Sequence, residues 1–583
     1  MLQIIITLLL LLILFFADFA SCSREIREGG RDKRADLSET QREISREYKN
    51  LKLPEKPPTF NEFCYPHKFT LQNPQKFLAE YLAEPNETRA LIGFHAMGAG
   101  KTCAAITASM RWIDKGKVLA AMPASLVSNF RAELRSECAG TRYMTREERK
   151  EYSRLAPESL RARELVAITN ARIDRDYYIW SYNKFLTRAR AHSLPRASFL
   201  ILDEVHVINN PDNQIYPHIL RYVEATARSM RVLLLSGTPI FDNFREIITL
   251  LRLARVDTST IKGLANSVDE LVEKLPPLLS NTISYYAGAP AHVYPRVELK
   301  YEICKMSAHQ SRWFAREVEA EYNRLGNIKT IEVANSFYIK SRAKSNIVFP
   351  RGLSGSHGLP KLNTRASLKT YSAKFARLLK WLAREELSFV YTNFTSYGGI
   401  KALTYILRAN GYKDYLTSGP GRKRYAIWSG AINPLRREEI RSAFNNALND
   451  DGSHIQVIIG SPAIKEGVSL MRVRRVHMLE PYWNTARMTQ VFARAVRFCS
   501  HKTLPRNERV VDIHLYSAVV ASSKCPRNRG AYRVKTPLES VDLYILQLAE
   551  AKRALNDKVI STMINCAIDR GLMYGSRKKL NPI

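Results

Sequence analysis

Residues 94–102 read FHAMGAGKT; they follow the apolar run ALIGF at 90–94 and lead into a helix-type stretch from about Lys101. Gly98 and Gly100 can take backbone angles closed to other residues. Successive N–H groups then turn inward at a helix N-terminus and form a cradle for phosphate oxygens. The pattern is G-x-x-x-x-G-K-[ST], with His95 standing where the first Gly is expected. In such a loop Gly98, Ala99 and Gly100 line the phosphates, Lys101 reaches the β- and γ-phosphates of ATP, and the Thr102 hydroxyl ligates Mg²⁺.

The rest of the chain agrees with a strand–loop–helix fold. Strand-length apolar runs alternate with amphipathic stretches: ALIGF, KVLAAM, SFLILD and RVLLLS in the first half, then LSFVYT, IQVIIGS, RVHMLE and RVVDIHLY in the second. This is the signature of α/β lobes with parallel sheets covered by helices. At 583 residues, about three to four domains are expected. The division expected is a hydrophobic N-terminal segment at 1–22, a polar linker at 23–60 and a first α/β lobe at 61–285. A basic intervening segment at 286–370, a second α/β lobe at 371–525 and a helical tail at 526–583 complete it. In the tail, Val541, Ile545 and Leu548 recur at helical spacing, suited to packing on the second lobe, with a partner helix as the alternative.

FLILDEVH ends a buried-type strand with two carboxylates. Asp203 is placed to hold Mg²⁺ and Glu204 to orient and deprotonate water. LLLSGTP puts Ser236 and Thr238 at another strand end, where hydroxyls can sense the γ-phosphate. QVFARAVR carries Gln490, a candidate ATP-binding residue, with Arg494 and Arg497 at i, i+4 and i+7, one face of a helix in the other lobe. Two cations there suit an arginine finger that acts only when lobes close; a solvated or DNA-contacting helix is the alternative.

The chain carries 89 basic against 55 acidic residues, a formal +34, which favours polyanionic partners: nucleic acid first, an anionic membrane second. Residues 340–380 hold ten basic side chains and no acidic one, among them Lys340, Arg342, Lys344 and Lys374, candidates for tracking a phosphate backbone. The eight cysteines show no C-x-x-C and no metal-ligand spacing, and read as buried or free thiols in a reducing compartment. Residues 2–16, LQIIITLLLLLILFF, are short for a membrane span but suit a signal-peptide core. No Lys or Arg precedes them, and the basic charge that follows suits an anchor with that side cytoplasmic; an artefact of the start is the alternative.

Taken in order, FHAMGAGKT, AAMPASLVSNF, LDEVH, LSGTP, FVYTNFTSYGGIKAL, SPAIKEGVSL and QVFARAVR resemble motifs I, Ia, II, III, IV, V and VI of superfamily 2 helicases and translocases of the DExH and Swi/Snf-like kind. SRAKSNIVFP, YSAKF, the stretch EGVSLMRVRRVHMLEPYWNTARMTQVFARAVRFCSHKTLP and CAIDR resemble the ATPases of large nucleocytoplasmic DNA viruses. These are the poxvirus-type early transcription factor small subunit and nucleoside triphosphate phosphohydrolase I, with asfarvirus and giant-virus relatives. The resemblance implies two tandem RecA-like domains of the P-loop NTPase type. It also implies a DNA-dependent ATPase in viral transcription, using ATP and Mg²⁺ and acting on nucleic acid, duplex DNA foremost. Implied partners are a second transcription-factor subunit and a viral RNA polymerase; the implied setting is the virion or the host cytoplasm or nucleus. Gln75 in LQNPQKFL is implied as the adenine reader, and His206, Glu466 and Gly467 join Ser236 and Thr238 in coupling. The chain departs from the pattern at Ala493, where Gly is expected, and at Thr485, where Pro often follows Trp-Asn. A strand-separating helicase and an ATP-switched DNA-binding subunit are the alternative activities.

Overall fold

The computed structural model describes residues 37–573, except 55, 84–88, 157–158, 211, 227–229, 262, 264–266, 326–336, 351–364, 466–467 and 523–532. The apolar segment at 2–16 lies outside the described residues, and no described helix is long and apolar enough to cross a membrane.

Lobe 1 is built on β1 (Ala90–His95), β2 (Val118–Met122), β3 (Tyr177–Ser181), β4 (Phe199–Asp203), β5 (Arg231–Ser236) and β6 (Ile283–Tyr286). They form one sheet in the order β3-β2-β4-β5-β1-β6, every pair parallel. β1, β2, β4 and β5 are buried along their whole length, as continuous apolar runs covered on both faces by helices should be. Lobe 2 carries β7 (Arg296–Lys305), β8 (Ser388–Tyr391), β9 (Lys413–Asp414), β10 (Arg424–Trp428), β11 (Val457–Gly460), β12 (Arg475–Met478) and β13 (Val510–Val519). Their order is β7-β13-β12-β8-β11-β10-β9, again parallel throughout.

Three expected segment boundaries change. Part of the polar linker is folded: Ser38 and Gln41 make a reciprocal capping box for the helix Glu39–Glu47, and Ile44, Tyr48 and Leu51 enter the lobe 1 core at helical spacing. The intervening segment is largely lobe 2, because β7 pairs with β13 over ten residues while Phe314 and Val318 of the helix Ala308–Leu325 join that lobe's core. The tail helix Val541–Asn565 packs on both lobes. Its first turns give Val541, Ile545 and Ala549 to the lobe 2 core, while Val559 and Met563 enter lobe 1. At about 1.5 Å per residue it is long enough to reach across.

The cysteines also differ from the expectation. Cys64 and Cys499 form a disulfide over 435 residues, and Cys103 and Cys138 form a second over 35. Only tertiary folding brings these partners together, so spacing along the chain did not reveal them. Among the described residues Cys304 and Cys566 are free.

Candidate active site

The carboxyl ends of β1, β4 and β5 converge, and each delivers one of the expected groups. β1 runs through His95, which lies in the sheet opposite Tyr286, so the position normally held by Gly is extended here and needs no special backbone. The left-handed angles come later, with φ of 79° at Gly98 and 75° at Gly100, the residue that caps the helix Lys101–Met110. A Cβ on Gly100 would meet Gln75 Nε2 at 2.2 Å. The Gln75 amide donates to Gly100 O at 3.2 Å, so this glutamine lies against the loop. Ala99 is buried and Thr102 is half-buried in the first helical turn.

Lys101 is buried and donates to the carbonyls of His95 (3.3 Å) and Ala96 (3.4 Å). A Cβ added to Gly237 would sit 3.2 Å from Lys101 Nζ and 3.0 Å from Met97 Cγ, which explains Gly in the Ser-Gly-Thr turn. His95 is fully buried, its Nε2 3.0 Å from Ser284 Oγ. Burial, with Lys101 adding to it, pushes the His95 imidazole down to about 3. The neutral ring is therefore native, and the unfolded chain takes up a proton near pH 6.5 that the fold refuses. The stability that His95 contributes is full above pH 6.5 and is lost as pH falls towards 3. Equilibrium unfolding at several pH values should show the difference between wild type and His95→Gln shrinking by roughly 1.4 kcal/mol per pH unit over that window. A constant difference would overturn the assignment.

β4 ends in the two carboxylates. Tyr182 donates its hydroxyl to Asp203 O at 2.7 Å, and Asp203 Oδ1 accepts the Glu204 N–H at 2.9 Å. Glu204 has φ of 51°, a left-handed angle rarely taken by non-glycine residues and one that turns its side chain away from the strand. Burial and the neighbouring Glu204 push the Asp203 carboxyl up, against the pull of Lys101. Burial pushes Glu204 up as well, but Lys101, His206, Arg494 and the Gly237 N–H outweigh it and hold Glu204 low. Of the two, Glu204 is the more readily ionised, and a cation beside Asp203 would relieve the crowding.

Lobe 2 reaches this cluster through Gln490, on the helix Thr485–Phe492. Its amide donates to His206 Nε2 at 3.0 Å and to Thr238 Oγ1 at 3.4 Å. With Nε2 accepting, His206 Nδ1–H faces Ser236 Oγ at 3.0 Å and Glu204 Oε2 at 3.4 Å, while the Thr238 N–H donates to Ser236 Oγ at 3.0 Å. Motifs II, III and VI are thus one hydrogen-bonded cluster across the lobes. Phe241, stacked on His206 with centroids 4.9 Å apart, fixes the ring plane.

The expected helical face does not hold the two arginines. The helix ends at Phe492 with Ala493 as its cap, and Arg494 and Arg497 lie on the turns beyond. Ala493 has φ −64°, so the Gly of the family pattern is not needed there. Thr485 is the first helical residue after the Asn484 cap, a position that tolerates Pro and Thr alike. Arg494 donates to Gln490 O and Val468 O, and Arg497 to Ala493 O and Ser469 Oγ. Burial lowers Arg497 to about 10 although Glu204 and Tyr294 oppose it, so it remains a cation at neutral pH. Glu466 and Gly467 lie outside the described residues.

Two of the four nucleic-acid candidates are elsewhere than expected. Lys374 is fully buried, its ammonium 2.7 Å from Asp542 Oδ2, 2.7 Å from Leu479 O and 3.1 Å from Asn346 Oδ1. Arg342 is buried among Phe394, Tyr482 and Trp483, with its guanidinium 5.2–5.7 Å from their ring centres. Lys374 is paired inside lobe 2, and Arg342 is covered by the three rings although its Nε and Nη2 have no hydrogen-bond partner among the described residues. Lys340 is exposed and 3.8 Å from Glu317, and Lys344 is half-buried.

Comparison with known proteins places these lobes. Residues 74–351 match the SNF2-related domain and residues 373–499 the helicase conserved C-terminal domain. A protein of Acanthamoeba polyphaga mimivirus, named as an ATP-dependent RNA helicase, is 37% identical over 82% of this chain and 87% of its own length. A protein of Invertebrate iridescent virus 3, named as a helicase, is 25% identical over 85% of this chain and 53% of its own. A termination factor NPH-I homolog of African swine fever virus is 26% identical over 84% and 78%. With a phosphate loop, a DExH carboxylate pair and an arginine-bearing second lobe joined at one cluster, the chain belongs to the SNF2-related helicase family of ATP hydrolases, among relatives from large DNA viruses.

Proposed function

We propose that this ATP hydrolase is a DNA-dependent translocase that couples closure of its two lobes to movement along nucleic acid, duplex DNA foremost, during viral transcription. The observation that carries the reading is the bond from Gln490 to His206 and Thr238, because it ties the hydrolytic carboxylates of lobe 1 to the arginine loop of lobe 2. ATP binds with its phosphates on the N–H groups of residues 98–102 and on Lys101, and with Gln75 beside the loop. Thr102 and Asp203 would hold Mg²⁺, which supplies charge neutralisation for the phosphates. Two features fit that ion: a buried carboxyl crowded by its neighbour, and a hydroxyl-bearing first helical turn.

Glu204, held anionic, accepts a proton from the attacking water. Arg494 and Arg497 stabilise charge on the transferred phosphoryl group, and His206, Ser236, Thr238 and Gln490 make that arrangement depend on lobe closure. Glu466 and Gly467 would join this coupling. Lys340 and Lys344 are proposed backbone contacts. The NPH-I name of the African swine fever virus relative supports a role in transcription, with a second transcription-factor subunit and a viral RNA polymerase as partners and the virion or host cytoplasm or nucleus as setting.

A second reading, strand separation on RNA, is favoured by the name of the mimivirus relative. Steady-state hydrolysis with duplex DNA, single-stranded DNA, RNA or no polymer, and with Lys101→Ala as control, separates the two. We expect duplex DNA to stimulate turnover at least tenfold. Equal rates with and without every polymer would sink the translocase, and stimulation by RNA alone would move the assignment to the second reading.

A further inference from the structure

Asp569 belongs to none of the motifs around the nucleotide site, yet it is fully buried beneath it. It sits in the turn that follows the tail helix. Its carboxylate accepts the Ser284 hydroxyl at 2.6 Å through Oδ2 and the Tyr285 N–H at 2.9 Å through Oδ1. The Ile568 N–H donates to Ile283 O at 2.9 Å, so the turn is stitched to β6 by main chain as well.

β6 is the edge strand against β1, and it serves as the shelf for the phosphate loop. Ile92 to His95 pair with Ile283 to Tyr286, and the Ala96 N–H donates to Tyr286 O at 2.9 Å. Ser284 has one hydroxyl proton. If Asp569 takes it, Ser284 Oγ is left to accept from His95 Nε2–H at 3.0 Å, and the other ring nitrogen, Nδ1, is the buried one without a partner. With Asp569 ionised, that proton order satisfies the carboxylate, the serine and a neutral His95 together. Burial pushes the Asp569 carboxyl up to about 7, and once it is protonated it can donate to Ser284 instead, so the chain of contacts from Asp569 to His95 persists in either state. His95 O and Ala96 O, the two carbonyls that hold Lys101 Nζ, are the next atoms along the chain.

We propose that Asp569 is a positioning residue of the nucleotide site: through Ser284 and His95 it fixes the point at which the phosphate loop leaves β1, and so the place from which Lys101 reaches the phosphates. The inference rests on the nucleotide-site reading of residues 98–102. It gives the tail a direct part in ATP binding. A chain lacking that turn has no buried acceptor for Ser284, whose hydroxyl is then free to take the proton order that turns His95 away. A loop shifted by a fraction of an ångström binds phosphates more weakly, because several N–H donors lose alignment at once.

The test compares the full chain with Asp569→Asn and Ser284→Ala, singly and together, by steady-state hydrolysis and by direct binding of a fluorescent ATP analogue. Loss of one buried hydrogen bond should raise both KM and the analogue Kd about tenfold, with kcat within about threefold. The double variant should be no weaker than either single one, because both act through one relay. A role in folding alone would lower the active fraction, hence kcat, with KM and Kd unchanged; that result overturns the proposal. If Asp569→Asn does not fold, Ser284→Ala, which leaves the tail's main-chain bonds intact, decides by the same readout. Lys101→Ala serves as reference: if it too leaves Kd unchanged, the nucleotide-site reading has failed, and the relay falls with it.

Discussion

Arg497→Ala lowers ATP turnover about 10³-fold or more and changes ATP affinity only a few-fold, the scale found for a cation that stabilises the transferring phosphoryl group. Two features of the structure support that expectation. The guanidinium is held from behind by Ala493 O at 3.0 Å and Ser469 Oγ at 2.6 Å, so little side-chain freedom is lost when it engages charge. It belongs to lobe 2 but feels Glu204 of lobe 1, which counters the lowering caused by burial. Arg494→Ala should act in the same direction, and its Val468 bond places it alongside. Arg497→Lys keeps the charge but loses the planar fork, and should recover only part of the rate. Single-turnover hydrolysis with saturating ATP measures the effect. A loss smaller than tenfold would show that phosphoryl charge is stabilised elsewhere.

Lys374→Ala should destabilise lobe 2 by roughly 3–5 kcal/mol, because it strands Asp542 as a buried carboxylate without its cation. The ammonium and carboxylate are 0% and 1% exposed, so no water replaces the lost partner. Ser345 Oγ and the Ala518 N–H remain on Asp542, which lessens the loss without removing it. Thermal unfolding of Lys374→Ala beside Lys340→Ala checks the claim: the first should fall by about 10 °C and the second hardly move. A variant at Lys374 with unchanged melting and weaker DNA binding would restore the surface reading of that lysine.

That lysine shows where sequence reasoning loses sight of the fold. A run of ten cations with no acid reads as a surface because the eye supplies no counter-charge, and Asp542 stands in another segment altogether. The strands follow the same logic. ALIGF, SFLILD and IQVIIGS are mostly apolar because helices cover both their faces, and they were legible. β7, at a sheet edge, is exposed or half-buried over most of RVELKYEICK, with Glu302 and Cys304 buried, and has no such run, while ISYY of β6 is too short to stand out. In the site, Lys101, Asp203, Glu204 and Gln490 were legible because a local strand end or helix presents each of them. Asp569, though it lies in the family stretch CAIDR, carried no role in the sequence, and neither did Ser284 or the Cys64–Cys499 pair, since each acquires meaning only from a partner far along the chain.

The tail helix alters the mechanics of the whole chain. Residues 287–295 carry the polypeptide from lobe 1 into lobe 2, and the helix Val541–Asn565 carries it back, so lobe 2 is an insert within lobe 1 and is suspended at two places. The Cys64–Cys499 bond adds a third attachment beside the first. A body hung from one cord can swivel in any direction; one hung from two separated supports keeps a single easy rotation, about the line that joins them. On the translocase reading, lobe closure would follow that one rotation.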